Sequence, residues 1–282
     1  MPLALITGAS TGIGRATALH LSDKGWTVLA GVRDPAAGER LRLEAKSGTL
    51  LPLQLEVTDP AQIAAASERV QQEVARSAHG GLDALVNNAG IGIGGPLELI
   101  AAEDLHRQFD VNVFGQIAVT QALLPALRSA RGRIVFVSSI GGRVAMAFTA
   151  PYAASKHAIE AFADALRVEL YRSHVQVALI EPGSVATPIW DKSRGEADKV
   201  TIPPQLQEAY GKVPAAMDKA LADTAARGVP PEQVAETIER ALTASRMRAR
   251  YVVGRDARAM LLAKRLTSDH LFDRLARRVL GV

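Results

Sequence analysis

The 282-residue chain contains no cysteine. Disulfides, a thiol nucleophile and thiolate-bound metal are therefore excluded, and no metal site is expected. A reducing compartment is compatible with this without being required. Aromatic residues make up only 4% of the chain. They nowhere interleave with a basic patch, so nucleic acid is not an expected partner despite a net charge of +4. A long uncharged apolar run is also missing. The strand-like run Leu3-Ala4-Leu5-Ile6-Thr7 starts at once and leaves no room for a signal peptide. A soluble, cytoplasmic protein is the resulting expectation. No internal repeat, low-complexity linker or second domain is visible.

What is present is ordinary globular material: 48% hydrophobic and 22% charged residues, enough for one large α/β domain. Apolar runs occur at 3–7, 26–31, 50–55, 83–87, 133–138, 175–181 and 250–253, with room for a helix in each gap. Strand and helix in alternation imply a doubly wound parallel sheet of about seven strands, joined by right-handed crossovers. The runs are apolar throughout, as strands buried on both faces should be.

The first strand leads into Thr7-Gly8-Ala9-Ser10-Thr11-Gly12-Ile13-Gly14, and a helix follows. Glycines let backbone N–H groups approach a pyrophosphate, and a helix N-terminus favours its charge. The spacing is G-x-x-x-G-x-G, and such turns are often only turns; its place at the first strand–helix junction favours dinucleotide binding. The second strand ends Gly31-Val32-Arg33-Asp34-Pro35. Arg33 can pair with a 2′-phosphate, which favours NADP(H), or it can be a solvated strand cap; Asp34 keeps NAD(H) open. After the third strand, Glu56-Val57 lie within reach of an adenine, and Asp59-Pro60 reads as a helix N-cap followed by proline at the first helical position. Asn87-Asn88-Ala89-Gly90 ends the fourth strand. Its small residues allow close approach of a cofactor, and its asparagines can equally brace the sheet. Asn112 interrupts an apolar helix predicted over about 103–129; Val111, Val113, Phe109 and Phe114 around it argue for burial. Ser138 and Ser139 end the fifth strand, at the sheet edge where ligands bind in open α/β folds.

Tyr152 and Lys156 stand four apart at the start of a helical stretch and so share one face. Many such pairs are only solvated neighbours. A cation beside a phenol favours phenolate and would lower the Tyr152 pKa toward working pH for proton transfer.

Together these segments resemble the short-chain dehydrogenase/reductase family over residues 3–190, and more loosely to 254. The text at 27–33, 53–59 and 181–189 further resembles its 17β-hydroxysteroid/retinol dehydrogenase-like branch. The resemblance implies a single Rossmann-like domain and an oxidoreductase that interconverts an alcohol and its ketone or aldehyde. It implies that Tyr152 is the acid/base and that Lys156 lowers its pKa and holds the nicotinamide ribose. Ser139 would polarise the substrate oxygen, and Asn112 would perturb its helix and hold a relay water. Pro182, Gly183, Val185 and Thr187 would cradle the nicotinamide end. Two positions depart from the family pattern: Glu56 stands where Asp is more common, and Thr11 where some NADP-preferring members carry a basic residue.

Residues 188–229 are expected to cover the substrate pocket, with helical text at 205–225. Ile189, Trp190, Tyr210, Val213 and Met217 either line an apolar pocket or pack the lid down. Val144, Ala145, Met146, Ala147 and Phe148 should face the same pocket, which points to a small apolar alcohol or carbonyl substrate. The tail 255–282 is basic and amphipathic. Packing on the pocket mouth or on another subunit is favoured for it, with a membrane surface the less favoured alternative. The family resemblance implies a homodimer or homotetramer paired through the helices starting near 103 and 152. The competing class of function is a non-catalytic dinucleotide-binding regulator; the complete set Asn112, Ser139, Tyr152 and Lys156 argues against it.

Overall fold

The computed structural model describes residues 1–46, 48–76, 80–187, 189 and 202–280. Seven parallel strands form one sheet: β1 (Leu3–Ile6), β2 (Thr27–Val32), β3 (Thr49–Gln54), β4 (Ala84–Asn87), β5 (Arg133–Val137), β6 (Gln176–Pro182) and β7 (Arg250–Val253). Their order is β3-β2-β1-β4-β5-β6-β7. All seven expected runs are strands, each within a residue or two of its predicted bounds.

The chain leaves β1 to one side and returns at β4 on the other, so the switch point lies between these two strands. The crevice at their carboxyl ends is where such a sheet binds ligands. Alternation along β1 divides the core. Leu3 and Leu5 face one side with Leu85, Phe136, Leu123 and Ile159; Ala4 and Ile6 face the other with Val28, Val86, Leu21 and Ile238. Each such fully buried aliphatic side chain contributes about 1.5–3 kcal/mol.

The flanking helices on the first side are α3 (Pro60–Arg76), α4 (Ala102–Phe109), α5 (Gln116–Ala130) and α6 (Ala150–Glu169); α1 (Gly12–Asp23) and α2 (Pro35–Glu44) cover the other. Asp59 caps α3 as expected. Its carboxylate accepts from Ala61 N at 2.9 Å and Gln62 N at 3.3 Å, with Pro60 behind it. Further along lie α7 (Gln207–Tyr210), α8 (Val213–Arg227), α9 (Pro231–Thr243), α10 (Arg255–Leu266) and α11 (Asp269–Leu280). Among the described residues no helix is long and apolar enough to cross a membrane.

Candidate active site

The turn after β1 is built so that backbone, not side chain, faces the crevice. Gly8 and Gly12 have φ of 64° and 57°, in the left-handed region that only glycine enters freely. A Cβ on Gly14 would lie 2.3 Å from Gly8 O. The turn therefore closes tightly onto the N-terminus of α1, where N–H groups point outward. From the β4 side, Asn88 Nδ2 donates to Thr7 O (3.0 Å) and Gly8 O (3.1 Å). Thr7 Oγ1 accepts from Asn88 N and Ala89 N at 3.0 and 2.9 Å. Asn87 bonds the Thr120 hydroxyl at 2.8 Å. Both asparagines thus brace the fold.

A cleft of about 340 Å³ opens on this turn. Gly8, Ser10, Thr11, Gly12, Ile13, Arg33, Glu56, Val57, Asn88, Ala89, Gly90 and Thr187 line it, together with Leu55, Ile91, Arg107, Val111 and Ile189. A glycine cradle of this kind at a helix N-terminus fits a dinucleotide. Arg33, with a side chain 69% exposed, stands at the rim 3.7 Å from Glu56 Oε2. Asp34 is otherwise occupied: its carboxylate caps α2, accepting from Ala36 N (2.9 Å) and Ala37 N (3.2 Å).

The helix predicted over 103–129 is not continuous. Between α4 and α5, residues Asp110–Gly115 form a π-helical turn with Asn112 fully buried inside it. Asn112 Oδ1 accepts from Ile91 N (2.8 Å), and its Nδ2 donates to Ile91 O (2.9 Å) and Ser155 Oγ (3.1 Å). The expected perturbation is present, and the side chain itself clamps the segment after β4. Burial of Asn112 is as anticipated; Phe114, used to argue for it, is 60% exposed.

Ser139, Tyr152 and Lys156 converge at the ends of β5 and α6. Ser139 Oγ accepts from Gly141 N at 3.0 Å and hydrogen-bonds the Tyr152 phenol. Tyr152 sits in the first turn of α6, behind Pro151, where the helix dipole favours negative charge. Lys156, 3% exposed, donates to Val137 O at 2.8 Å and lies 5.7 Å from the Tyr152 ring centre. A Cβ on Gly90 would come within 3.8 Å of Lys156 Nζ and 3.3 Å of Asn112 Oδ1, so these groups share one corner. The net direction at the tyrosine is set by burial. Burial pushes Tyr152 up, opposed by its bond from Ser139. Burial also brings Lys156 down to about 8, with the Glu160 carboxylate holding it up. Desolvation penalises both charges, and the Val137 carbonyl takes one of the three ammonium donors.

Elsewhere the agreement is partial. Of the four nicotinamide-end positions only Thr187 lines the cleft. Pro182 is buried at the end of β6, Gly183 packs against the Asp256 carboxylate, and Val185 bridges to Val229. Val144 is buried, and Ala145 and Ala147 are exposed, so the 144–148 segment does not face one pocket as a unit. In the lid, Val213 is buried and Tyr210 donates to Glu98; Trp190 lies outside the described residues. In the tail, α10 packs on β7 and on α11, and no described tail residue lines the cleft. Leu262, Leu266, Leu271 and Leu275 remain exposed.

Sequence reasoning passed over Thr7, Gln108, Gln116 and Ser155 as site residues. All four are fully buried. Gln108 bonds Ile91 O (2.8 Å) and Ile93 N (2.7 Å), Gln116 bonds Ala89 O (2.7 Å), and Ser155 bonds Tyr152 O (2.7 Å). A signal was available: residues 108, 112 and 116 are amides spaced four apart in an apolar helix.

A glycine cradle at the switch point, with a Tyr–Lys pair whose lysine is buried and a strand-ending serine beside it, defines an oxidoreductase that binds NAD(P) and acts on CH–OH groups. The chain belongs to the short-chain dehydrogenase/reductase family: the family model for short chain dehydrogenases matches residues 2–198. It is 34% identical over 280 residues to the NADPH-dependent 3-dehydrocapnine reductase of Ornithobacterium rhinotracheale, covering 98% of this chain and 96% of that one. It is 39% identical over 272 residues to retinol dehydrogenase 5 of Mus musculus, covering 91% and 82%. A short-chain dehydrogenase/reductase from Burkholderia phymatum, solved in complex with NAD, superposes with a TM-score of 0.79 at 26% identity, covering 94% and 92%.

Proposed function

We propose that the protein is an NADP(H)-dependent oxidoreductase interconverting a small, apolar alcohol and its ketone or aldehyde. The convergence of Asn112, Ser139, Tyr152 and Lys156 behind Gly90, itself a lining residue of the cleft, carries this reading. When bound, the cofactor supplies or accepts hydride at the carbon bearing the oxygen. In reduction, Tyr152 donates the proton that the developing alkoxide needs; in oxidation it takes the proton away. Ser139 donates a hydrogen bond to the substrate oxygen, most strongly as charge grows there. Lys156 in its charged form favours the phenolate and offers donors to the nicotinamide ribose. Asn112 holds Ile91 and Ser155 and so fixes α6 against β4. Gly8 to Gly14 would hold the pyrophosphate; Asn88, Ala89, Gly90, Glu56 and Val57 the adenosine; and Pro182, Gly183, Val185 and Thr187 the nicotinamide end.

Preference for NADP(H) over NAD(H) is supported by the occupation of Asp34 as a helix cap, which leaves Arg33 as the open group at the rim. The NADPH dependence named for the Ornithobacterium relative points the same way, while the Burkholderia structure contains NAD. The likeness to retinol dehydrogenase 5 supports the apolar substrate class. The test is a panel of apolar ketones, steroids and retinoids assayed with NADPH and NADH, run on the native protein and on Arg33→Ala. The variant should lose about tenfold or more in affinity for NADPH, about 1.4 kcal/mol, and little for NADH. Equal loss for both cofactors would remove Arg33 from this role.

A further inference from the structure

Behind Lys156 lies a buried set of charges that the reaction does not use. Glu160 follows Lys156 by one turn of α6 and is 6% exposed; Glu181, near the end of β6, is fully buried. One nitrogen serves both: Arg250 Nε lies 2.9 Å from Glu160 Oε2 and 3.0 Å from Glu181 Oε1. The other oxygens, Glu160 Oε1 and Glu181 Oε2, are out of reach of solvent; the Ser138 hydroxyl is the donor beside Glu160, and Glu181 Oε2 has no hydrogen-bond partner among the described residues.

The surrounding cations are shared among three carboxylates. Arg143 Nη1 lies 3.0 Å from Glu181 Oε1. Arg250 also serves Asp164 on α6, at 2.7 Å, and Arg167 completes that pair from the outer side. The Ser138 hydroxyl sits beside Glu160, and Lys156 shares its helix. Three carboxylates thus draw on Arg143 and Arg250 from within. A buried carboxylate oxygen with no donor is costly. A single proton placed on either carboxyl removes one charge and at the same time creates a donor. Like carboxylates held this close divide a proton between them.

The cluster also touches each part of the candidate site. Arg143 follows the Ser139 loop, Glu160 lies one turn past Lys156, and Glu181 immediately precedes Pro182-Gly183. We propose that Glu160 and Glu181 are positioning residues, a buried carboxyl pair that holds one proton, and that the charge remaining on the pair keeps Lys156 protonated. This rests on the reading of Lys156 as the charged partner of Tyr152.

The sign of the effect separates the pair from ordinary structural support. Loss of the Lys156 proton should set the alkaline limb of reductive kcat/KM, near pH 8. Glu160→Gln removes the carboxylate that holds Lys156 up, so the limb should move to lower pH by about one unit. Glu181→Gln removes the charge that opposes ionisation of Glu160. Glu160 then carries its charge more fully, and the limb should move to higher pH. Shifts in the same direction, or lower rates with the limb unmoved, would overturn the proposal.

A second measurement needs neither cofactor nor turnover. In the protein labelled with ¹³C at the Glu side-chain carboxyls, NMR titration should show one buried carboxyl protonating above the ordinary glutamate range, and either Gln substitution should abolish that signal. If every glutamate titrates in the ordinary range in the unsubstituted protein, no proton is held and the proposal fails. Should Tyr152 turn out not to matter for turnover, the catalytic reading would fall while this titration still decided the pair.

Discussion

Lys156 shows how burial and chemistry oppose each other at a single residue. Its ammonium is nearly sealed from solvent, with one carbonyl at 2.8 Å, and its pKa falls from 10.5 to about 8. The native state therefore releases this proton near pH 8, and the unfolded chain near 10.5. Between those values the unfolded chain binds more protons, so stability rises with pH across that window. A shift of this size corresponds to about 3 kcal/mol of stability withheld below pH 8. Denaturant unfolding at pH 7.5 and 10 should show the native protein gaining stability relative to Lys156→Met. A difference between the two that does not change with pH would contradict the burial of a charge here. The pairing of Tyr152 with Lys156 was legible in the sequence, but the direction of the tyrosine shift was not. Spacing says that two side chains share a face; it does not say how far burial will penalise the charge on each.

Among the elements, the strands were the most legible, because all seven are buried on both faces and read as continuous apolar runs. The break in the 103–129 helix was only half legible. Asn112 marked the place, yet the π-turn over Asp110–Gly115 depends on contacts that no local pattern encodes. Its side chain reaches across to Ile91, twenty-one residues earlier, and to Ser155, forty-three later. Turns of this kind often accompany functional sites. Asn112→Ala leaves the Ile91 N–H without its partner inside the protein, while Ile91 O keeps its bond from Gln108. The expected cost is about 1–3 kcal/mol in unfolding free energy, with turnover reduced through displacement of α6. Full stability together with full activity would show that the clamp does not position the site. The 182–187 segment was read as a cradle, but its approach to Asp256 at the start of α10 comes from tertiary packing alone.

The whole molecule presents apolar surface on the elements expected to meet a second subunit. Phe162, Val168 and Tyr171 on and just after α6 are 40%, 76% and 79% exposed, and Phe114 stands out from the π-turn. Large exposed side chains grouped along one helix mark an interaction surface. A homodimer or homotetramer built on α6 would cover them, and Phe162→Asp should then shift sedimentation equilibrium toward monomer while leaving far-UV circular dichroism unchanged. An unaltered assembly would place the contact elsewhere. The tail was the least legible region. Its amphipathic pattern was plain, but a sequence period cannot say what lies against the stripe, and the leucines at 262, 266, 271 and 275 stay exposed. The central claim at this scale is that a Rossmann-like scaffold places one proton-handling group beside the cofactor cleft. The direct measurement is turnover and NADPH affinity of Tyr152→Phe on a ketone that the native protein reduces. The account predicts NADPH binding close to native and kcat lower by about 10²–10⁴-fold, the contribution of a positioned acid/base. Native-like turnover by Tyr152→Phe would contradict it.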